Sequence, residues 1–261
     1  MRACLLIVVI VAGLFAVGVV FAEELDGQAI VEKMADQNES KSAETTAKMI
    51  IIDKHGKQRV RELLMRTKEK NGLRHTSTTF LAPPDLRGSK FLVIERKDAD
   101  DDQRIYLPAL KRVRRITSSN KSGSFMGSTF AYADLQTHDA KKGVHTRLAD
   151  ATVDGQDCYV VESVPKNPDD YVYSKLIYWV RKDNFLPIKG EFYDKKGTLW
   201  KRLEVSEIEQ RNDGTWIGRK TKMNDLKKGT ATVLELGEYK LNVKIDDAYF
   251  TERFLKDETM E

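Results

Sequence analysis

From residue 46 onward, apolar and polar positions alternate along the chain, and glycine, asparagine and lysine interrupt the alternation at short intervals. A period of two is typical of β-strands. We predict strands over residues 46–53, 59–68, 73–81, 89–96, 103–107, 111–116, 156–164, 174–181, 185–193, 198–210, 215–226 and 230–243. Turns such as Asn71-Gly72 separate them, because Asn and Gly tolerate positive φ at low cost. So many strands joined by tight turns predict one large antiparallel sheet or barrel.

Two short helices are predicted at the ends of this sheet. In residues 25–36, Ile30, Val31 and Met34 fall on one helical face, and Asp26 is a candidate N-cap. Residues 246–250 are typical of a short closing helix. The pattern therefore predicts a mainly β protein with few helices.

Several strands are apolar on both faces, as where Met49 and Ile51 alternate with Ile50 and Ile52. A sheet with one face in water would alternate more cleanly. Either helices cover one face while the other lines an apolar cavity, or the sheet is a sandwich with helices outside; periodicity does not separate the two. On the first interpretation, we expect a concave apolar surface lined from among Met49, Ile51, Leu63, Met65, Phe91, Val93, Tyr178 and Trp179.

Residues 117–150 form no predicted strand and are rich in Ser, Gly and Lys, yet they carry Phe125, Met126 and Phe130. A polar backbone segment with large apolar side chains suits a lid or plug over a cavity, and it also suits an ordinary loop anchored by its aromatic side chains. We hypothesise that residues 117–134 are a mobile cover. Its three apolar side chains would then occupy or close the cavity when cargo is absent.

The N-terminus has the pattern of a secretory signal, with Arg2 followed by an uncharged run from Ala3 to Ala22. We predict cleavage after Ala22, leaving residues 23–261 as a single domain in the periplasm. An uncleaved membrane anchor is the alternative, since the run is long enough to cross a bilayer.

A basic cluster is the most distinctive charged feature of a chain whose formal net charge is only +4. Lys111, Arg112, Arg114 and Arg115 lie on both faces of one predicted strand, which indicates an edge strand or a rim. Export argues against a nucleic-acid partner. The cluster is either a solvated edge or a docking patch for an acidic partner or an anionic head group.

Signatures of enzymes and metal sites are missing from the sequence. Ser124 does not stand where a nucleophile elbow would place it. The acidic run at 98–102 lacks the glycine and the glutamate of a calcium loop. Cys158 lies in a strand-like run and is expected to be a buried apolar residue. No metal-ligand spacing occurs among the four histidines, which are His55, His75, His138 and His145. We therefore expect no enzymatic activity and no cofactor.

Three motifs carry a family resemblance. They are FLAPPDLRGSKFL at residues 80–92, IYLPALKRVRRI at 105–116 and SFMGS at 124–128. In this order they resemble the outer membrane lipoprotein-sorting proteins, a LolA-like branch, over nearly the whole mature chain. After Ser128 the family pattern has an aspartate, a polar residue and an acidic residue where this chain has Thr129, Ala131 and Ala133. Phe130, Tyr132 and Asp134 match the pattern.

The resemblance implies a half-open antiparallel β-barrel with covering helices and an apolar concave face. It implies a periplasmic carrier of lipid or lipoprotein acyl chains that acts as a monomer without catalytic residues. Its partners would be an inner-membrane transporter of the RND or ABC type and an outer-membrane acceptor. A cargo-free adaptor of an RND-type exporter is the alternative function, and the basic cluster suits it equally.

Overall fold

A computed structural model describes residues 24–36, 40–97, 99–136, 140–211 and 214–259. The predicted signal segment and His138 lie outside these residues. The described chain forms a single sheet of thirteen strands. The strands are β1 Ser42–Ile52, β2 Gln58–Lys70, β3 Leu73–Ala82, β4 Lys90–Ile94, β5 Asp102–Leu107, β6 Arg112–Ile116, β7 Gly143–Val153, β8 Gln156–Pro165, β9 Lys175–Arg181, β10 Pro187–Tyr193, β11 Leu199–Gln210, β12 Trp216–Asp225 and β13 Thr230–Leu241.

The sheet order is β6-β5-β4-β3-β2-β1-β13-β12-β11-β10-β9-β8-β7. Every strand pairs antiparallel with its neighbours, and β1 pairs with β13 at the centre of the sheet. The outermost strands, β6 and β7, do not pair with each other, so the sheet stays open. The mainly β, half-open antiparallel architecture expected from the sequence is confirmed.

The connection from β6 to β7 lies against one face of the sheet, and its contacts show that the sheet is curved. Gln103 on β5 donates to the carbonyl of Tyr132, and Lys201 on β11 forms an ion pair with Asp134. These two strands lie seven positions apart in the sheet order. Flat strands about 4.8 Å apart would separate them by about 34 Å. The sheet therefore wraps around the connection, and we call the enclosed face concave.

Both faces of the β3–β5 region are buried. On the concave face, Phe91 and Val93 belong to the main hydrophobic cluster. On the convex face, Leu92 and Tyr106 pack in a second cluster with Phe250 and Leu255 near the C-terminus. The C-terminal segment folds as a 3₁₀ helix, Asp247–Phe250, followed by the short helix α2, Glu252–Lys256. This C-terminal segment covers the convex face of β3–β5, and that is why these strands are apolar on both faces.

Helix α1, Gly27–Asp36, is the other covering helix. The carboxylate of Asp26 accepts a hydrogen bond from the amide of Ala29 at 2.8 Å, which confirms the predicted cap. Ile30 and Val31 are buried, and the helix contacts β7 and β8. A Cβ at Gly27 would lie 2.5 Å from the carbonyl oxygen of His145, so only glycine permits this approach. Neither helix in the described part of the chain has the length and hydropathy of a membrane span.

Two sequence expectations need correction here. Most of strand β7 lies inside residues 117–150, where we predicted no strand. The prediction missed it because its apolar members are exposed: Val144 is 55% and Leu148 is 38% accessible. An exposed edge strand has no buried face to create a clear alternation. Strand β1 also begins at Ser42 rather than at residue 46.

Candidate functional site

The concave face is largely filled by residues 117–134, which we call the plug segment. Phe125 is buried, and its ring centroid lies 5.0 Å from that of Phe91 and 6.0 Å from that of Phe80. Tyr132 completes the aromatic group, 5.7 Å from both Phe91 and Phe125. These separations are typical of favourable aromatic pairs. The plug side chains thus belong to the main core.

The tip of the plug segment is a tight hairpin. Ser124 and Ala131 form an isolated bridge, and the amide of Phe125 donates to the carbonyl of Phe130 at 2.8 Å. Met126 and Gly127 both have positive φ, at 50° and 75°. Only the glycine adopts that conformation without cost, so Met126 is held in a sparsely populated backbone state. Its side chain is half-buried against the core.

Buried polar contacts hold this hairpin to distant strands. The amide of Thr129 donates to Thr232 Oγ1 at 2.9 Å, and the Thr129 hydroxyl donates to the carbonyl of Met223 at 3.0 Å. On the other side, Arg61 Nη1 donates to the carbonyl of Met126. The plug therefore bridges β2 to β12 and β13 across the concave face.

A buried ion pair joins the end of the plug segment to β11. Lys201 Nζ lies 3.0 Å from Asp134 Oδ2, and both side chains are almost fully buried. Tyr173 donates its hydroxyl to Asp134 Oδ1 at 2.6 Å, and the amide of Ala131 donates to Oδ2 at 2.7 Å. Burial, and then the adjacent Asp134, raise the pKa of Tyr173 far above its usual value, so the phenol stays protonated as the donor.

Beyond the plug, the concave face continues as an apolar groove. Leu234 and Leu236 pair with Met49 and Ala47 of β1 and so share their concave face. These two leucines, like Leu203, are only partly buried. We call this strip of partly exposed leucines the groove.

A polar rim borders the sheet end that carries the last residues of β11 and β13. Arg219 Nη2 lies 2.8 Å from Glu209 Oε1, and the Tyr239 hydroxyl donates to the same oxygen at 2.9 Å. All three side chains border an open space of about 820 Å³. By contrast, the pocket between α1 and β8–β9, lined by Met34 and Tyr178 among others, holds only about 40 Å³. The roomier space therefore lies at the rim.

The predicted lining residues divide into three groups. The main core cluster contains six of them, which are Met49, Ile51, Leu63, Phe91, Val93 and Tyr178. Met65 packs against its margin. Trp179 lies on the opposite face of β9, with Lys189 Nζ 3.8 Å from its ring centroid, so it leaves the set of candidate lining residues. On β9 the buried positions are Leu176, Tyr178 and Val180, and the sequence could not assign the face because both are apolar.

The predicted basic cluster lies on the edge of the sheet. Arg112, Arg114 and Arg115 belong to β6, an outermost strand, as their charges on both faces indicate. Arg115 pairs with Asp102 at 3.2 Å, and Arg114 interacts with the Tyr132 hydroxyl. Lys111 and Arg112 are exposed and have no ion-pair partner among the described residues.

Sequence reasoning missed Lys201, Tyr173 and Arg61 as parts of the site. One signal was available: Lys201 shares its strand face with Leu203 and Val205, and a lysine on an apolar face requires a partner. Cys158 is buried, and burial raises the pKa of its thiol. Within the described residues, no three His, Cys, Asp or Glu side chains group as metal ligands. The arrangement can hold an apolar ligand by contact.

Comparisons with known proteins agree with this geometry. A family model described as an uncharacterized protein matches residues 72–257. A crystal structure from Vibrio parahaemolyticus, described as an outer membrane lipoprotein-sorting protein domain, is 33% identical with a TM-score of 0.84, over 88% of this chain and 98% of that one. A DUF1329 family protein from Desulfovibrio piger is 32% identical with a TM-score of 0.83, over 88% and 97%.

A more distant structure shares the fold. A LolA superfamily protein from Nitrosomonas europaea has a TM-score of 0.71 at 21% identity, over 88% of this chain and 100% of that one. None of the curated proteins matches the chain in sequence.

Proposed function

Because the chain belongs to the outer membrane lipoprotein-sorting family, in a LolA-like branch with DUF1329 proteins, we propose that it is a periplasmic carrier of lipid or lipoprotein acyl chains. One observation carries the proposal. The concave face is occupied by apolar side chains of the protein's own plug segment, and it continues as a half-exposed groove at Leu203, Leu234 and Leu236. An acyl chain would extend along the groove and take the place of the plug side chains.

The energetics set a minimum length for the cargo. Removing Phe125, Met126 and Phe130 from the core costs about 1.5–3 kcal/mol each, or roughly 5–9 kcal/mol together. Burying one methylene gains about 0.8 kcal/mol. A chain of about ten methylenes therefore offsets the loss of the plug contacts, and plug position and occupancy are linked. Short acyl chains should bind only in the groove.

A carrier that moves lipid between two membranes needs one partner to load it and another to unload it. An inner-membrane transporter of the RND or ABC type would load the carrier, and an outer-membrane acceptor would unload it. No covalent step is needed, because the cover opens by movement of a single segment. The exported, monomeric form assumes cleavage of residues 1–22.

The test compares two leucine variants. We expect purified wild-type protein to bind N-phenyl-1-naphthylamine, a neutral fluorescent probe, and to carry lipid masses in native mass spectrometry. Leu236→Asp places a charge in the groove and should abolish probe binding. Leu226→Asp makes the same change at an exposed turn position, 46% accessible, and should bind normally. Wild-type protein without probe binding or lipid masses would contradict the proposal.

A second candidate is the cargo-free adaptor. It is favoured by Lys111 and Arg112, which lie at the open edge without an ion-pair partner in the described part of the chain. An adaptor should lose association with its transporter in the Lys111→Glu/Arg112→Glu variant and should show no probe binding. A carrier binds the probe equally well with or without these charges. Cross-linking in membranes together with the probe titration separates the two functions.

A further inference from the structure

A polar pocket opens at the opposite end of the sheet from the rim, beside the plug. Its volume is about 190 Å³, which is room for about six waters. Arg59, Lys228 and Ser122 line it at the surface, whereas Ile51 and Phe130 line it and are buried. The pocket therefore joins cationic side chains to the apolar interior.

Three cations line this pocket, and one of them, Lys201, is paired with Asp134. Arg59 and Lys228 form no ion pair within the described part of the chain. Arg61 lies on the same face of β2 as Arg59, two positions further along the strand. It is buried, and its guanidinium donates to the carbonyl of Met126. Burial and then the nearby Arg59 lower the pKa of Arg61. Asp85 acts on Arg61 in the opposite direction, but the two form no ion pair within the described residues. A buried guanidinium without an ion-pair partner is costly, and an anion beside Arg59 and Arg61 would reduce that cost.

Two carboxylates also line the pocket, but the backbone uses them. Asp53 Oδ1 accepts the amides of His55 at 2.8 Å and Lys57 at 3.0 Å. Asp225 Oδ1 accepts the amides of Lys227 at 3.1 Å and Lys228 at 3.0 Å. Both therefore serve to fix turns, and these hydrogen bonds hold the pocket's walls in place.

We propose that this pocket binds a phosphate group, and that the group is the head of an anionic phospholipid whose acyl chain occupies the concave face. Arg59 and Lys228 would donate charge-assisted hydrogen bonds to the phosphate oxygens, and the Ser122 hydroxyl would add a neutral one. The first methylenes would lie against Ile51, in the place that Phe130 leaves where the pocket meets the core. This inference rests on the proposed carrier function and names its cargo class.

The experiment uses two ligands with the same oleoyl chain. Lysophosphatidylglycerol carries the phosphate, and monooleoylglycerol does not. Each displaces N-phenyl-1-naphthylamine from wild-type protein, from Arg59→Gln/Lys228→Gln, and from Lys48→Gln/Lys97→Gln. The last variant loses the same charge at exposed positions that do not line the pocket. We expect wild-type protein and the control to prefer the phospholipid by about tenfold, and the pocket variant to lose that preference while its affinity for monooleoylglycerol stays unchanged.

The outcomes separate this inference from the carrier proposal. Equal affinity of wild-type protein for both ligands, or a preference that survives in the pocket variant, would overturn the phosphate site and leave the carrier intact. If neither ligand displaces the probe, the carrier proposal fails, and titration with inorganic phosphate then tests the pocket alone. Inorganic phosphate binding as tightly as the phospholipid, and lost in the pocket variant, would assign the pocket to free phosphate and overturn the lipid head group.

Discussion

Lys201 of β11 and Asp134 at the end of the plug segment form a buried ion pair, with Nζ and Oδ2 3.0 Å apart. The pair ties the segment to the far side of the barrel from β5, where Gln103 holds Tyr132. Opening the plug must separate these charges or expose them to water. The pair is therefore the contact whose loss should accompany release of the plug.

Lys201→Met should destabilise the protein by about 3–5 kcal/mol, because Asp134 would remain buried without its cation. Asp134→Asn/Lys201→Met should cost less than the two single changes together, since neither charge is then stranded. Urea unfolding of the four proteins measures both quantities. Strictly additive losses would show that the pair does not act as a unit.

Arg61→Met tests the other anchor of the plug. The change removes the donor to Met126 and also a buried charge, so the free energy of unfolding should shift by less than about 1.5 kcal/mol. Hydrogen exchange at the amides of Ser128 and Thr129 should become about tenfold faster, because a hydrogen bond worth about 1.4 kcal/mol no longer holds the hairpin.

The matched control for Arg61 is Arg66→Met. Arg66 lies on the same strand and pairs with Glu44 at 2.9 Å, outside the plug contacts. The Arg66→Met variant should have a lower free energy of unfolding, but hydrogen exchange at the amides of the plug segment should not become faster. Unchanged exchange in Arg61→Met would show that this arginine does not hold the segment.

Most strands of the sheet were predicted correctly, because a hairpin is specified by residues that are close together in the sequence. Turns at Asn71-Gly72 and near Gly214 and Gly229 carry the positive φ that glycine and asparagine permit, and the strands between them alternate. Strand β7 escaped prediction because Val144 and Leu148 face outward. Its place at the edge follows from the topology of the whole sheet, which the local pattern does not contain.

The candidate site was only partly predictable, for a related reason. Phe125 and Phe130 were identified because apolar side chains in a Ser- and Gly-rich segment need a buried place. Trp179 and Tyr178 lie on opposite faces of β9, and the sequence could not assign the concave face because both are apolar. The Asp134–Lys201 pair is separated by 67 residues, and only tertiary structure shows that a carboxylate in a loop meets a lysine on a distant strand.

Stability at acidic pH should report on the C-terminal cover. Asp247 lies 2.6 Å from Lys68 Nζ and 2.7 Å from Lys70 Nζ, and these hydrogen bonds lower its pKa from 3.8 to about 2. A lowered carboxylate pKa contributes stability above pH 3.8, and this contribution is lost as pH falls toward 2. Asp247→Asn should therefore melt below wild-type protein at pH 7, and the difference should shrink between pH 4 and 2.

The control for this pH dependence is Asp154→Asn, at an exposed turn with positive φ that asparagine tolerates. Its melting temperature should track that of wild-type protein across the range. An Asp247→Asn difference that persists unchanged at pH 2 would rule out the two lysine contacts as its cause.

Replacement of Phe125 by alanine distinguishes a plug from a static core anchor. Phe125 is 3% exposed, and Phe254, in helix α2 of the C-terminal cover on the convex side, is 1% exposed. Each Phe→Ala change should cost about 3–5 kcal/mol, because both side chains are buried. Only Phe125→Ala enlarges the concave cavity and removes a competitor for the acyl chain. It should therefore bind N-phenyl-1-naphthylamine more tightly than wild-type protein, whereas Phe254→Ala should bind it as wild type does. If Phe125→Ala loses stability and its probe affinity is unchanged or weaker, Phe125 anchors the loop and the plug hypothesis is wrong.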